Sequence, residues 1–323
     1  MKTFLYSLLI VLVAQIAVAQ NDSETFPDAQ RLKKVGQAGY TFLKIGVDAR
    51  STALAEAAVT LQGDAATLFF NPAGITAVED KSFFVGHTLW FADIGKSAFS
   101  YAMRVGQIGH FGISALVMDY NTIEGTEIDP FNPVGYRDTG NIGVQEYAIG
   151  LTYGKRFTDK FGIGITAKFC SQDFVVTNSQ TVAFDIGTIY DVGWNGVKVA
   201  MSIQHFSKNM KYVEESFQLP LTFHIGASVD VLDLINAGTE DHDLDFLFEG
   251  NNPIDYSERF HTGFEYWYRD IIALRTGYKF NYDEAGLTLG TGIKYNMLDF
   301  NYSYAGFGEY LGSVNRVSMT LNF

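Results

Sequence analysis

From residue 82 to the last residue, the chain alternates apolar residues with small or polar ones at a period of two, in segment after segment. An extended strand puts every second side chain on one face, so this pattern commits most of the chain to β-structure. In Leu287-Thr288-Leu289-Gly290-Thr291-Gly292-Ile293-Lys294-Tyr295 one face reads Leu, Leu, Thr, Ile, Tyr and the other Thr, Gly, Gly, Lys. Further back, Phe260, Thr262, Phe264, Tyr266 and Tyr268 alternate with His261, Gly263, Glu265 and Trp267. Ile272, Leu274, Thr276, Tyr278 and Phe280 likewise alternate with Ala273, Arg275, Gly277 and Lys279. Such runs fall at 82–91, 97–105, 109–120, 143–156, 161–174, 180–191, 196–206, 218–232, 241–249, 258–268, 271–280, 285–296, 297–304 and 312–323, fourteen strands in all.

The links between these runs differ in length. Those at 157–160, 194–195, 269–270 and 296–297 are tight, whereas 121–142, 207–217 and 250–257 are longer and polar. An even strand number with short turns at one end and long loops at the other is the organisation of an outer-membrane barrel. A soluble β-sandwich would alternate too. Against it stand Tyr and Phe crowded at strand ends, glycines gathered on one face, an apolar face on nearly every strand and only 6 Pro for the turns. Beyond residue 19 no run approaches the ~18 apolar residues of a membrane helix, but ~9 to 11 suffice for a membrane strand.

The first residues decide the compartment. Lys2 precedes an apolar run from Phe4 to Val18 that closes with Ala17-Val18-Ala19, ahead of the polar Asn21-Asp22-Ser23-Glu24. This is the layout of a secretory signal peptide cleaved after Ala19. The predicted organisation is a signal peptide at 1–19, a periplasmic or luminal hatch at 20–81 and a transmembrane barrel at 82–323, placed in the cell outer membrane. At the far end Val317, Met319, Leu321 and Phe323 share one face of the last strand. That face is similar to the C-terminal signal read by the barrel assembly machinery. With 23 basic against 36 acidic residues, a net charge of -13 disfavours binding to nucleic-acid phosphates. The 1 cysteine, Cys170, excludes an intramolecular disulfide.

Residues 30–78 lack sustained alternation. The stretch from Arg50 to Ala58 is rich in helix formers, and Asn71-Pro72-Ala73-Gly74 reads as a tight, rigid turn, with Gly74 freeing the backbone. A compact segment tied to the start of a barrel is placed to plug its lumen. The expected fold class is therefore all-β: a 14-stranded antiparallel transmembrane β-barrel with a small N-terminal luminal plug containing a short helix.

Several segments resemble the PorV/PorQ family of outer-membrane proteins, within the wider FadL-like barrel superfamily. They are Phe42-Leu43-Lys44-Ile45-Gly46, Asp48-Ala49-Arg50, Asp64-Ala65-Ala66, Phe70-Asn71-Pro72-Ala73-Gly74, Glu265-Tyr266 and Ala273-Leu274-Arg275-Thr276-Gly277-Tyr278-Lys279. Where the family has a Gly-Met-Gly-like run after its Ala-Arg, this chain has Leu54-Ala55-Glu56. The resemblance implies a fourteen-stranded barrel with a luminal hatch whose motif residues here are Asp48, Arg50, Asp64, Asn71, Pro72 and Gly74. It also implies a part in type IX protein secretion, with the translocon or the C-terminal domains of secreted cargo as partners, beside outer-membrane lipid and the assembly machinery. FadL proteins proper instead carry hydrophobic small molecules through a lateral opening. That is the alternative reading, and a purely structural barrel is a third.

The residues speak to this choice. A hydrophobic ligand needs an apolar route, but the faces assigned inward carry Glu265, Arg275, Lys279 and Lys294. If Tyr268 and Ile272 flank a turn, Glu265 lies opposite Arg275, and the spacing predicts a cross-strand salt bridge that stabilises the sheet or anchors the plug. Catalysis is not expected. None of the 6 histidines, His87, His110, His205, His224, His242 and His261, sits in a nucleophile motif. No cofactor is expected and no metal, because the acidic run Glu240-Asp241-His242-Asp243-Leu244-Asp245 lacks the spacing of a calcium loop. Link 121–142, with Glu124, Glu127, Asp129 and Arg137, is the longest and faces outward if the termini are periplasmic. With 207–217 it is the candidate surface for a protein partner.

Overall fold

The computed structural model describes residues 37–174, 177–211, 216–283 and 286–323. The proposed signal peptide lies outside the described residues. Fourteen antiparallel strands close into a barrel, each hydrogen-bonded to its neighbours and the last to the first. In chain order these are β1 (Lys81–Leu89), β2 (Gly95–Val105), β3 (Gly109–Asp119), β6 (Gln145–Arg156), β7 (Phe161–Phe174), β8 (Thr177–Asp191) and β9 (Lys198–Ser207). Then come β12 (Thr222–Asp230), β13 (His242–Pro253), β14 (Arg259–Tyr268), β15 (Ile272–Phe280), β16 (Leu287–Tyr295), β17 (Leu298–Gly306) and β18 (Ser313–Asn322). The intervening numbers belong to two small ladders outside the wall: β4 (Ile123–Ile128) with β5 (Tyr136–Ile142), and β10 (Met210–Lys211) with β11 (Ser216–Phe217).

The period-two pattern divides the wall as the sequence predicts. On β16 Leu287, Leu289, Thr291, Ile293 and Tyr295 point out while Thr288, Gly290 and Gly292 point in. Large apolar side chains exposed on the outer surface recur on every wall strand but β13, whose outward Leu244, Phe246 and Phe248 are half-buried, and form a band that lipid rather than water must cover. The β14–β15 register pairs Tyr268 with Ile272 and Glu265 with Arg275.

Two expectations need correction. Link 121–142 is not a plain loop: β4 and β5 form a hairpin whose tip exposes Ile128, Phe131 and Val134. Link 250–257 is shorter than expected, because β13 keeps pairing with β12 as far as Pro253.

Residues 37–80 fill the barrel. Their compactness comes from capping rather than helix length. Asp48 accepts from the amides of Arg50 and Ser51 at the start of α1 (Ala49–Ala53). Asp64 and Asn71 cap the 3-10 turns Ala65–Phe69 and Pro72–Ala77 in the same way. The helix expected over 50–58 is cut to five residues, because Ala55 and Glu56 turn left-handed at φ 56° and 65°. That turn presses the backbone onto the inner wall, where a Cβ on Gly277 would lie 2.5 Å from the Ala55 nitrogen. The wall glycines thus clear room for the hatch backbone. Gly74 is also a matter of space: it sits inside a 3-10 turn, where a Cβ would stand 2.8 Å from the Leu61 carbonyl oxygen, and not at a left-handed position.

Candidate functional site

The hatch packs an apolar core of Tyr40, Phe42, Leu68 and Ile75 against Phe84, Ala98 and Leu116 of the wall, and a set of buried polar contacts fixes its position there. Glu265, 1% exposed, accepts from Arg50 Nε at 2.9 Å and Arg50 Nη2 at 2.6 Å, and from Arg275 Nε at 2.5 Å. Arg275 Nη1 donates onward to Asn301 Oδ1 at 2.7 Å. The cross-strand pair is therefore one side of a triad whose third member belongs to the hatch. Beside it, Asp48 accepts from Ser318 Oγ at 3.0 Å, and Asp64 lies 3.9 Å from Arg50 Nη1. Burial pushes the Asp64 carboxyl up to about 6 despite that guanidinium.

Further pins ring the hatch. Lys279 Nζ meets Glu56 Oε2 at 2.8 Å, and Lys44 Nζ meets Asp255 Oδ2 at 2.5 Å. Burial alone would raise the Glu56 carboxyl, but Lys279 and His261 outweigh it and hold it at about 2. Glu249 Oε2 accepts from the amides of Ala58 and Val59 at 2.9 and 2.8 Å. Lys96, 1% exposed, donates to the carbonyls of Phe42 and Ile45, and Arg316 to that of Gly46. Asn71 Nδ2 donates to the Val59 carbonyl at 2.7 Å, and Pro72 packs its backbone against Gly164.

These contacts bring together Asp48, Arg50, Asp64, Glu265 and Arg275, with Asn71, Pro72 and Gly74 on the opposite wall against β7 and β8. Lys279 belongs to the Glu56 pin. Lys294 does not reach the hatch: it sits at the turn rim, 2.6 Å from Asp270 Oδ2. Lys44, Glu56, Lys96, Glu249, Asp255 and Arg316 were missed by sequence reasoning. Their partners lie tens to hundreds of residues away, and the one available signal was parity, which puts Lys96, Glu249 and Arg316 on inward faces. Among the loop residues, Arg137 pairs with Glu127 at 2.7 Å on the exposed hairpin, Asp129 accepts from the Phe131 amide at 3.0 Å and Glu124 is exposed. Val317, Met319, Leu321 and Phe323 lie along the outer, lipid-facing side of the β18 end, and the Phe323 amide donates to the Lys81 carbonyl.

Between hatch and wall lies a cavity of about 140 Å³. Its lining is mixed: Val47, Leu68 and Phe70 beside Lys44, Glu56, Lys168, His205, His224, Glu249 and Arg259. Among the described residues no group of His, Cys, Asp and Glu could hold a metal ion. Cys170 is a buried free thiol.

A closed fourteen-stranded wall with a pinned luminal hatch defines an outer-membrane barrel of the FadL-like fold. The chain belongs to the family described as "Uncharacterised protein family (UPF0164)", whose model matches residues 13–242 and is that of PorV/PorQ proteins. Solved structures similar to it include the CymD monoaromatic hydrocarbon channel, at TM-score 0.60 and 12% identity, covering 86% of this chain and 98% of that one. The Pseudomonas putida toluene transporter TodX is similar at TM-score 0.59 and 12% identity, covering 90% and 100%. A Pseudomonas aeruginosa FadL homologue is similar at TM-score 0.53 and 10% identity, covering 86% and 98%. No curated protein sequence matches the chain.

Proposed function

We propose that this barrel is a non-enzymatic component of type IX protein secretion of the PorV/PorQ kind, exported by its signal peptide and working through its loop face on cargo or translocon. The observation that carries the reading is the closed lumen beside an outward apolar tip. The hatch is tied to β1, β2, β8, β9 and β13 to β18, so traffic has no ready path through the barrel. On the loop side, the β4–β5 hairpin holds out Ile128, Phe131 and Val134, with Phe131 97% exposed. A rigid hairpin carrying large apolar side chains into water is what a protein partner covers.

The alternative is a channel for hydrophobic small molecules, as in the hydrocarbon channels that share the fold. At 12% identity or less that likeness concerns architecture. An apolar ligand would also have to cross a lumen whose wall carries Lys168, Asp185, Glu249, Glu265 and Arg275.

The test is a mild-detergent pull-down of the tagged protein and of an Ile128→Ser, Phe131→Ser, Val134→Ser variant, with bound protein and lipid identified by mass spectrometry. Secreted proteins sharing a C-terminal domain, or a large translocon subunit, are expected with the first and lost with the second. A bound hydrophobe without protein partners would overturn the reading in favour of transport.

A further inference from the structure

One rung of the wall faces the cavity with unsatisfied polar groups. His224 of β12 lies opposite Asn251 of β13, and Asn251 opposite Arg259 of β14. All three point inward and line the cavity, with neighbouring backbones ~5 Å apart.

Each has chemistry that the protein leaves open. His224 Nδ1 donates to Glu249 Oε1 at 2.7 Å, so in the neutral ring Nε2 carries the lone pair. That Nε2 is buried without a partner, and so is Asn251 Oδ1. The Arg259 guanidinium is sandwiched, 4.2 Å from the centre of the Tyr256 ring and 4.1 Å from that of Tyr282. Two lysines extend the stack. Lys44 stands 5.0 Å from the Tyr256 ring and Lys279 5.4 Å from that of Tyr282. Both outer cations have their own carboxylates, Asp255 and Glu56. Arg259 in the middle has none within ion-pair distance among the described residues. Its faces are occupied by tyrosines and it gives a side-chain hydrogen bond to Tyr282, which leaves the rest of its N–H edge to bind.

We infer that this rung is a binding site for a small organic carboxylate that also carries a hydroxyl or amino donor. The carboxylate takes the fork of Arg259, whose planar N–H groups match two oxygens at once. The ligand's donor is taken by Asn251 Oδ1 or His224 Nε2, both acceptors. Those acceptors favour a ligand whose donor is set on an atom apart from its charged oxygens, which phosphate, with its hydroxyl on the same centre, does not offer. At ~10 to 15 Å³ of such volume per water, the cavity holds on the order of ten waters, room for a short polar acid. The inference is independent of the secretion reading, since neither requires the other.

The test is calorimetric titration of the detergent-solubilised full chain with malate, with butane-1,2,4-triol as its uncharged analogue and with inorganic phosphate. Saturable binding of malate is expected, with the triol and phosphate at least tenfold weaker. Arg259→Gln is expected to lose at least tenfold in malate affinity, and Asn251→Leu severalfold with the charge preference retained. Heat-modifiable migration in gels reports whether each variant is folded, and Asn251→Leu carries the test if Arg259→Gln is not. No binding of malate, equal binding of malate and triol, equal binding of phosphate, or unchanged affinity in a folded variant would each overturn the proposal.

Discussion

Replacing Glu265 by Ala removes the acceptor on which two guanidiniums converge. It takes three charge-assisted hydrogen bonds, from Arg50 Nε, Arg50 Nη2 and Arg275 Nε. Such bonds contribute ~1.5 to 3 kcal/mol each when net, and removing one partner of a buried pair costs ~3 to 5 kcal/mol through the stranded charge. The Arg275 side chain is fully buried and that of Arg50 21% exposed, so the larger share of the cost falls on Arg275. Glu265→Ala should lose about 4 kcal/mol. Arg275→Ala leaves the Arg50 fork in place and should lose less, about 2 to 3 kcal/mol, with Asn301 also deprived of its donor. In the double variant no guanidinium of β15 remains to be stranded, so the two losses should fall short of additivity by at least ~1 kcal/mol, beyond the ~0.5 kcal/mol scatter of independent sites. Reversible urea unfolding in detergent, followed by tryptophan fluorescence, reads all three. Trp267, whose ring centre is 5.3 Å from the Arg275 guanidinium, is a local reporter. Additive losses would refute the triad as a coupled unit.

Other consequences follow from the hatch and the wall. Gly164→Leu drives a side chain into the Pro72 backbone and should displace the hatch while the barrel stays closed; liposome swelling with a small sugar should rise from near zero, and unchanged permeability would count against the packing argument. The Glu56 carboxyl sits at about 2 against an ordinary 4.5, so its stabilising contribution is complete above pH 4.5 and fades as pH falls toward 2; Glu56→Gln should flatten the acid limb of stability, and an unchanged limb would assign it to other groups. Asn71→Ala removes a cap worth ~1 kcal/mol and the bond to Val59, and should lower the urea midpoint with little change in slope. Deleting Phe323, which lies one residue past the β18 register and gives one amide hydrogen bond to Lys81, should slow assembly by the barrel machinery and cost the folded barrel no more than the ~1 kcal/mol of that bond; equal assembly rates would remove its role as a signal.

Much of the wall was legible because parity is a local property. β7 has the bounds that the alternation predicts, 161–174, and the turn between Tyr268 and Ile272 sets the whole β14–β15 register. The hairpin inside 121–142 escaped notice because Glu124, Thr126 and Glu127 read as loop, although Ile123, Gly125 and Ile128 carry a broken alternation. The hatch was legible as a segment but not as a structure. Its helix ends at Ala53 because the Leu54–Ala55 backbone must fit against glycines of β14 and β15, more than 200 residues on. Nothing local in Arg50–Ala58 encodes that stop. For the same reason Glu265 and Arg275 could be paired from their register, while Arg50, the third member, needed the fold.

The pins also decide where the protein can act. Releasing the hatch means breaking at least the Arg50–Glu265, Glu56–Lys279 and Lys44–Asp255 pairs together, since all three hold one short segment. At ~1.5 to 3 kcal/mol net for each charged contact, that is on the order of 5 to 9 kcal/mol before any apolar contact is counted. A spontaneous open state would then be populated at roughly one part in 10⁴ to 10⁶. Opening the lumen therefore requires a partner that binds the released hatch in preference to the seated one, by a comparable free energy. Without such a partner, the accessible chemistry of the molecule lies on its loop side, where the β4–β5 hairpin projects and the Tyr256–Arg259–Tyr282 stack borders the cavity. The secretion reading needs no opening, whereas the uptake reading needs one. The swelling assay on the unmodified protein thus bears on function as well as packing: a closed lumen that stays closed in lipid favours action at the loop face.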